Sequence, residues 1–65
     1  MPLSPREHQV LNLVASGRRY KEVAYELHIS MSTVRYYLNR AQEKLKADTV
    51  IHAVALALQM GEIKV

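Results

Sequence analysis

The stretch "ELHISMSTV", residues 26 to 34, most narrows what this chain can fold into. Before it, Val23, Ala24 and Leu27 recur at helical spacing. After it, Val34, Leu38, Ala41 and Leu45 stand four, three and four apart, which is one face of a 3.6-residue helix. Ser30 is a natural N-cap for the second of these helices, with Thr33 at the third position able to answer it. Only a few residues are left for the turn, and so tight a corner is a helix-turn-helix. The turn lacks its usual glycine. His28 stands in that place, at a steric cost if its φ is positive.

The remaining pattern is helical as well, and no segment alternates as a strand would. "SPRE" supplies Ser4 as N-cap, Pro5 at the first helical position and Glu7 three residues after the cap, a capping box with the favoured proline inside it. Val10, Leu11, Leu13 and Val14 form the stripe of this first helix, Leu3 is placed to pack back on its start, and Gly17 stops it. The second helix is expected from about Tyr20 to His28, with Ile29 turning inward behind it, and the third runs to about Lys46. Asp48 or Thr49 caps a fourth, "VIHAVALALQM", which Gly61 closes, and the tail is ordered through Ile63. The expectation is an all-α fold, a four-helix bundle containing a helix-turn-helix, with residues 1–65 forming a single domain.

Size and composition exclude much. A chain of 65 residues buries only roughly 60% of its unfolded surface. With no Cys it has neither disulfides nor a thiolate metal site to supplement the core. Its three His residues, His8, His28 and His52, fit no metal-ligand spacing. There is no apolar run long enough to span a membrane, and "MPLSPREH" lacks the hydrophobic centre of a signal peptide, so the expected location is cytoplasmic. The chain begins with Met and carries no tag, as a complete small protein would. No nucleophile elbow, paired carboxylates or phosphate-cradling glycine loop appears, so an enzyme is not expected and no cofactor or small-molecule ligand is implied.

The net charge of +3 is unevenly spread. Residues 18 to 46 hold seven Lys and Arg against three Glu, whereas the rest of the chain carries a net −1. The third helix concentrates the chemistry. Opposite its apolar stripe lie Ser32, Tyr36, Asn39, Arg40 and Glu43, with Arg35 on the margin. A merely solvated face more often alternates Glu and Lys. Here a hydroxyl, guanidinium groups, a phenol and a carboxamide are offered, all able to address phosphates or base edges.

Taken in order, "LSPRE", "VLNLVASG", "KEVAYELHIS", "STVR", "KL" and the later Ala-rich helix ending in Gly resemble the LuxR-type helix-turn-helix family of bacterial transcription regulators, over residues 3 to 63. The chain departs from that pattern at Gln9, where Glu is usual, at Arg19 for a small hydroxyl residue, at Tyr37 for a frequent His, at Lys46 for Gly and at Val50 for Arg. The DNA-binding end of sigma factors is also similar over the first 45 residues, but it does not need a fourth helix of this kind.

The resemblance implies that the third helix reads the major groove, with Arg35, Tyr36 and Asn39 toward base edges. Ser32 and Thr33 sit at a helix start that favours phosphate. Arg19, Tyr20 and Lys21 open the second helix, which in this motif crosses the DNA backbone; core packing is the rival role for Tyr20. Arg40 and Lys44 add long-range attraction, although Glu7, on the apolar side of the first helix, is the preferred partner for Lys44. The fourth helix is apolar nearly all round. Val50, Val54, Ala57 and Leu58 are assigned to the core, leaving Ile51, His52, Ala55, Leu56 and Gln59 for a second copy.

The partners implied are therefore double-stranded DNA and a second copy of the chain, with RNA polymerase a candidate further contact and nucleoid association when DNA is bound. A different class of function stays open. The fourth helix could pair with a larger regulator and inhibit it, although such an antagonist would not need the basic face of residues 32 to 40.

Overall fold

The computed structural model describes residues 3–64, which form four helices: α1 (Pro5–Ala15), α2 (Tyr20–Leu27), α3 (Met31–Leu45) and α4 (Val50–Gln59). α1, α3 and α4 begin where their capping residues predict. Ser4 Oγ accepts from the Glu7 N–H at 3.2 Å, while Glu7 Oε1 accepts from the Ser4 N–H at 3.0 Å, so the capping box closes α1 reciprocally. Arg19 precedes α2, and its N–H is satisfied at 2.8 Å by the Glu22 carboxylate rather than by a hydroxyl cap. Ser30 caps α3 through the Thr33 N–H at 3.1 Å, and Thr49 caps α4 through the His52 N–H at 3.0 Å.

α3 is the central element and packs against each of the other three helices. Its stripe supplies Val34, Leu38 and Ala41, all buried, while Leu45 is half-buried against the core at its end. Around it lie Val10 and Leu11 from α1, and Val23 and Ala24 from α2. Leu3 folds back beneath α1, and Ile63 returns from the tail to the same core. The tail is fixed by a hydrogen bond in which the Lys64 N–H donates to Asn12 Oδ1 at 3.1 Å.

The α4 core face differs from the expected one. Ala53 and Ala57 are fully buried, Val50 and Val54 are half-buried against the core, and Leu58 is 41% exposed. The reason is angular and steric. Positions 50, 53, 54 and 57 follow one helical line, and Leu58 lies roughly 100° off it. Small residues on that line let α4 lie close against its neighbours, so the larger side chains are turned outward.

Two helices end on a left-handed residue that is not glycine: His28 at φ 58° after α2 and Lys46 at φ 57° after α3. The αL geometry serves the cap, because it lets the Ile29 N–H reach the Ala24 carbonyl at 3.0 Å and the Ala47 N–H reach the Gln42 carbonyl at 3.0 Å. An L-residue pays roughly 1–2 kcal/mol there through its Cβ. His28 is exposed and has little packing to lose. His28→Gly is therefore expected to stabilise the fold by about 0.5–1 kcal/mol, after the entropy that glycine adds to the unfolded chain. A urea titration checks this, and an unchanged or lower midpoint would show that the histidine is not strained.

Candidate nucleic-acid interface

The outer face of α3 is built by subtraction. Once Val34, Leu38 and Ala41 are committed to the core, the same helix must point Ser32, Arg35, Tyr36, Asn39 and Arg40 away from it, and all five are exposed. Glu43 shares this face but sits more than three turns beyond the Ser30 cap. The residues that carry donors thus occupy the first two-thirds of the helix.

At the helix start three hydroxyls form one cluster. Ser30 Oγ lies 3.0 Å from Ser32 Oγ and 2.8 Å from Thr33 Oγ1, besides accepting from the Thr33 N–H. Thr33 is half-buried and bound into the cap, while Ser32 faces solvent. Arg19 and Lys21 at the start of α2 are exposed, and among the described residues neither they nor Arg35 enters an ion pair. Tyr20 is half-buried and packs on the core, the rival role considered for it. Arg18, beside them, is bound to Glu26 at 3.1 Å.

Beneath this face lies the buried acid of the fold. Glu7, 4% exposed, accepts from Lys44 Nζ through Oε1 at 2.8 Å, so Lys44 is internally paired, as preferred from the sequence. Its second oxygen, Oε2, stands 3.9 Å from Arg40 Nε, and Arg40 Nη1 is also 3.7 Å from Glu43 Oε1. Burial, the largest single influence on Glu7, pushes its pKa up. The Lys44 hydrogen bond and charge, with the Ser4 N–H and hydroxyl, pull it down and prevail, so the carboxyl is held below its ordinary value. The pairing of Glu7 with Arg40 was not anticipated from sequence, because the two are far apart in the chain and only the packing of α1 on α3 joins them.

The α4 face away from the core exposes Ile51, His52, Ala55 and Gln59, with Leu56 half-buried. Leu58 belongs to this outward set rather than to the core, and Ile51, at 82% exposure, is its most solvent-facing large apolar member. His52 Nδ1 accepts from the Asp48 N–H at 3.1 Å, which ties the residue to the α3–α4 corner. No helix among the described residues is long and apolar enough to cross a membrane.

The family profile "Bacterial regulatory proteins, luxR family" matches residues 1–57. The chain belongs to the LuxR family. It is a LuxR-type helix-turn-helix DNA-binding domain of the kind that serves transcription regulation. The transcriptional activator protein CarR of Pectobacterium carotovorum subsp. carotovorum is 48% identical over 59 residues, covering 91% of this chain and 24% of CarR. The spore germination protein GerE of Bacillus subtilis (strain 168) is 39% identical over 62 residues, covering 95% of this chain and 84% of GerE. Two solved structures share the fold. GerE superposes with a TM-score of 0.90 at 27% identity, over 95% of this chain and 92% of that one. VqmA of Vibrio cholerae, in a complex with ligand and DNA, superposes with a TM-score of 0.89 at 31% identity, over 95% of this chain and 27% of VqmA. The chain spans 24% of the length of CarR and 32% of that of DesR, another LuxR-type match from Bacillus subtilis.

The linkage of Glu7 to stability has a definite sign. Because its pKa in the folded LuxR-type domain is depressed, the stabilisation is fully present above the ordinary glutamate value and is lost as pH falls through the folded value. Glu7→Gln keeps the shape but leaves Lys44 without a counter-charge, at a cost of roughly 1–3 kcal/mol at pH 7. The gap between wild type and variant should narrow as the pH falls below about 4. Urea titrations of both proteins at several pH values check this; a gap independent of pH would remove the ionised carboxylate from the account.

Proposed function

We propose that residues 1–65 act as one DNA-binding unit that recognises duplex DNA in sequence-specific fashion, in the cytoplasm and on the nucleoid, as a homodimer joined through α4. α3 enters the major groove. Arg35 takes a guanine through O6 and N7, Asn39 takes an adenine through N6 and N7, and Tyr36 lies between neighbouring base edges. Ser32, the N-terminal backbone of α3 around Thr33, and Arg19, Tyr20, Lys21 and Arg40 hold phosphates on either side. The observation that carries this reading is the exposed row of Ser32, Arg35, Tyr36, Asn39 and Arg40 directly behind the buried stripe of α3.

The dimer rests on α4. Ile51, Ala55 and Leu58 form one outward line with His52 and Gln59 beside it, an apolar patch that a second copy would cover symmetrically. VqmA of Vibrio cholerae, which shares the fold, is described as a dimer in the absence of target DNA. Two copies on one face of the duplex would suit half-sites about one turn, or 10 bp, apart.

A random-library selection with the purified protein should enrich a two-fold symmetric motif. Arg35→Ala and Asn39→Ala are each expected to cost about 1–3 kcal/mol on that motif and to relax preference at one base pair. Lys21→Ala should weaken binding to all sequences and flatten its salt dependence. If both groove variants keep wild-type affinity and preference, α3 does not read the bases.

For the dimer, Ile51→Glu is a cleaner substitution than Leu56→Glu, because Ile51 faces solvent whereas Leu56 is half-buried. The variant should keep its helical signal and its binding to one isolated half-site. It should lose the added affinity of a second half-site and sediment as a monomer. Unchanged mass and unchanged two-site binding would place the dimer elsewhere. An α4 that pairs with a larger regulator instead would leave the purified chain unable to enrich any DNA motif.

A further inference from the structure

Among the exposed side chains of α3, Tyr36 alone has its ring held by another ring. Its centroid is 5.5 Å from that of Tyr37 and the two planes meet at 68°, an edge-to-face pair. The two residues have different roles in packing. Tyr37 is half-buried against the core, so its ring is fixed by α3 and its neighbours. Tyr36 is 57% exposed, on the face that carries Arg35 and Asn39. Neighbours in sequence do not normally meet on a helix, being roughly 100° apart. Here the length of the two rings bridges that angle. A ring so exposed would otherwise exchange rotamers freely, and an apolar edge presented to solvent contributes nothing to folding.

We infer that Tyr36 and Tyr37 form a reading unit for the 5-methyl group of a thymine, in which Tyr37 is the positioning residue and the Tyr36 ring makes the contact. This deepens the groove reading proposed above and rests on it. The thymine methyl is the one apolar group that a base pair displays in the major groove, and it is matched by apolar or aromatic surface rather than by a hydrogen bond. On α3, Asn39 falls angularly between Arg35 and Tyr36, with Arg35 roughly 40° to one side and Tyr36 roughly 60° to the other. The polar readers therefore occupy one flank of the face and the ring the other. The half-site then contains a thymine beside the base pairs read by Arg35 and Asn39. A ring with fixed orientation discriminates more sharply than a mobile one, since less conformational freedom is lost on binding.

The test is a thymine-to-deoxyuridine scan of the half-site enriched by the full chain, read by titration with fluorescent duplexes. Deoxyuridine removes the methyl and keeps every hydrogen-bonding group. One position should cost the wild type roughly fourfold in affinity, the worth of one buried methyl. Tyr36→Ala should bind the thymine and deoxyuridine duplexes equally. Tyr36→Phe should keep the full discrimination, because the ring and not the hydroxyl makes the contact. Tyr37→Leu should reduce the discrimination while retaining the helical signal, and Tyr37→Phe should restore it.

Wild-type indifference to deoxyuridine at every position would overturn the inference, as would loss of discrimination in Tyr36→Phe. Full discrimination in a folded Tyr37→Leu would remove the positioning role. Should Tyr37→Leu unfold, Tyr36→Ala, at an exposed site, still decides the methyl contact, and Tyr37→Met repeats the positioning test with a flexible side chain of similar bulk. Arg35→Ala on the same duplexes separates the two levels. If it lowers affinity equally for thymine and deoxyuridine, the groove reading stands whatever the tyrosines do. If neither it nor Asn39→Ala has any effect, the groove reading itself fails.

Discussion

The pairing of Glu7 with Lys44 is the interaction that ties α1 to the central helix α3. It joins positions 37 residues apart, the first turn of α1 and the last turn of α3, at 2.8 Å. Glu7 is at once the third residue of a capping box, the buried acid of the core and the counter-ion of Lys44. A charge placed so deep is tolerated only when its lone pairs are occupied, and both oxygens of Glu7 face donors or cations. Such a pair adds little net stability compared with a well-packed apolar substitute, but it tolerates only one arrangement of its partners. It therefore fixes the register of α1 along α3, and with it the direction in which the exposed face of α3 looks.

Close packing does the rest with few atoms. Ala41 on α3 and Ala53 and Ala57 on α4 are all fully buried. Alanine costs no side-chain entropy on burial and favours helix, so a short chain can place whole helices in contact without large side chains between them. Ile51 and Leu58 are left outside because they lie off the line of Val50, Ala53, Val54 and Ala57 that faces the core.

The caps were the most legible part of the sequence. Ser4 with Glu7, Ser30 with Thr33 and Gly17 each have a local meaning that packing does not override: α1 and α3 begin directly after Ser4 and Ser30, and α1 ends two residues before Gly17. His28 was legible too, since a turn that short demands a left-handed residue whatever its side chain. The exposed face of α3 follows from the stripe opposite it. The inner face of α4 did not read correctly, because in a helix apolar nearly all round periodicity has no contrast and only the size of the residues distinguishes in from out. Bulky Leu58 looked like core, and Ala53 was passed over. The Tyr36–Tyr37 contact and the approach of Arg40 to Glu7 lay beyond sequence reasoning for another reason. One depends on rotamers and the other on a tertiary meeting of helices.

One helix holding the core stripe on one side and the exposed row on the other has an evolutionary consequence. Val34, Leu38 and Ala41 interleave with Arg35, Tyr36 and Asn39, yet the two sets share no face. Substitutions in the second set meet water and leave the packing of the first as it is, so they change stability by no more than about 0.5 kcal/mol as a rule. Drift along positions 32, 35, 36 and 39 is thus almost free of folding cost, and a duplicated copy of such a gene can diverge in what its helix recognises while inheriting an unaltered scaffold.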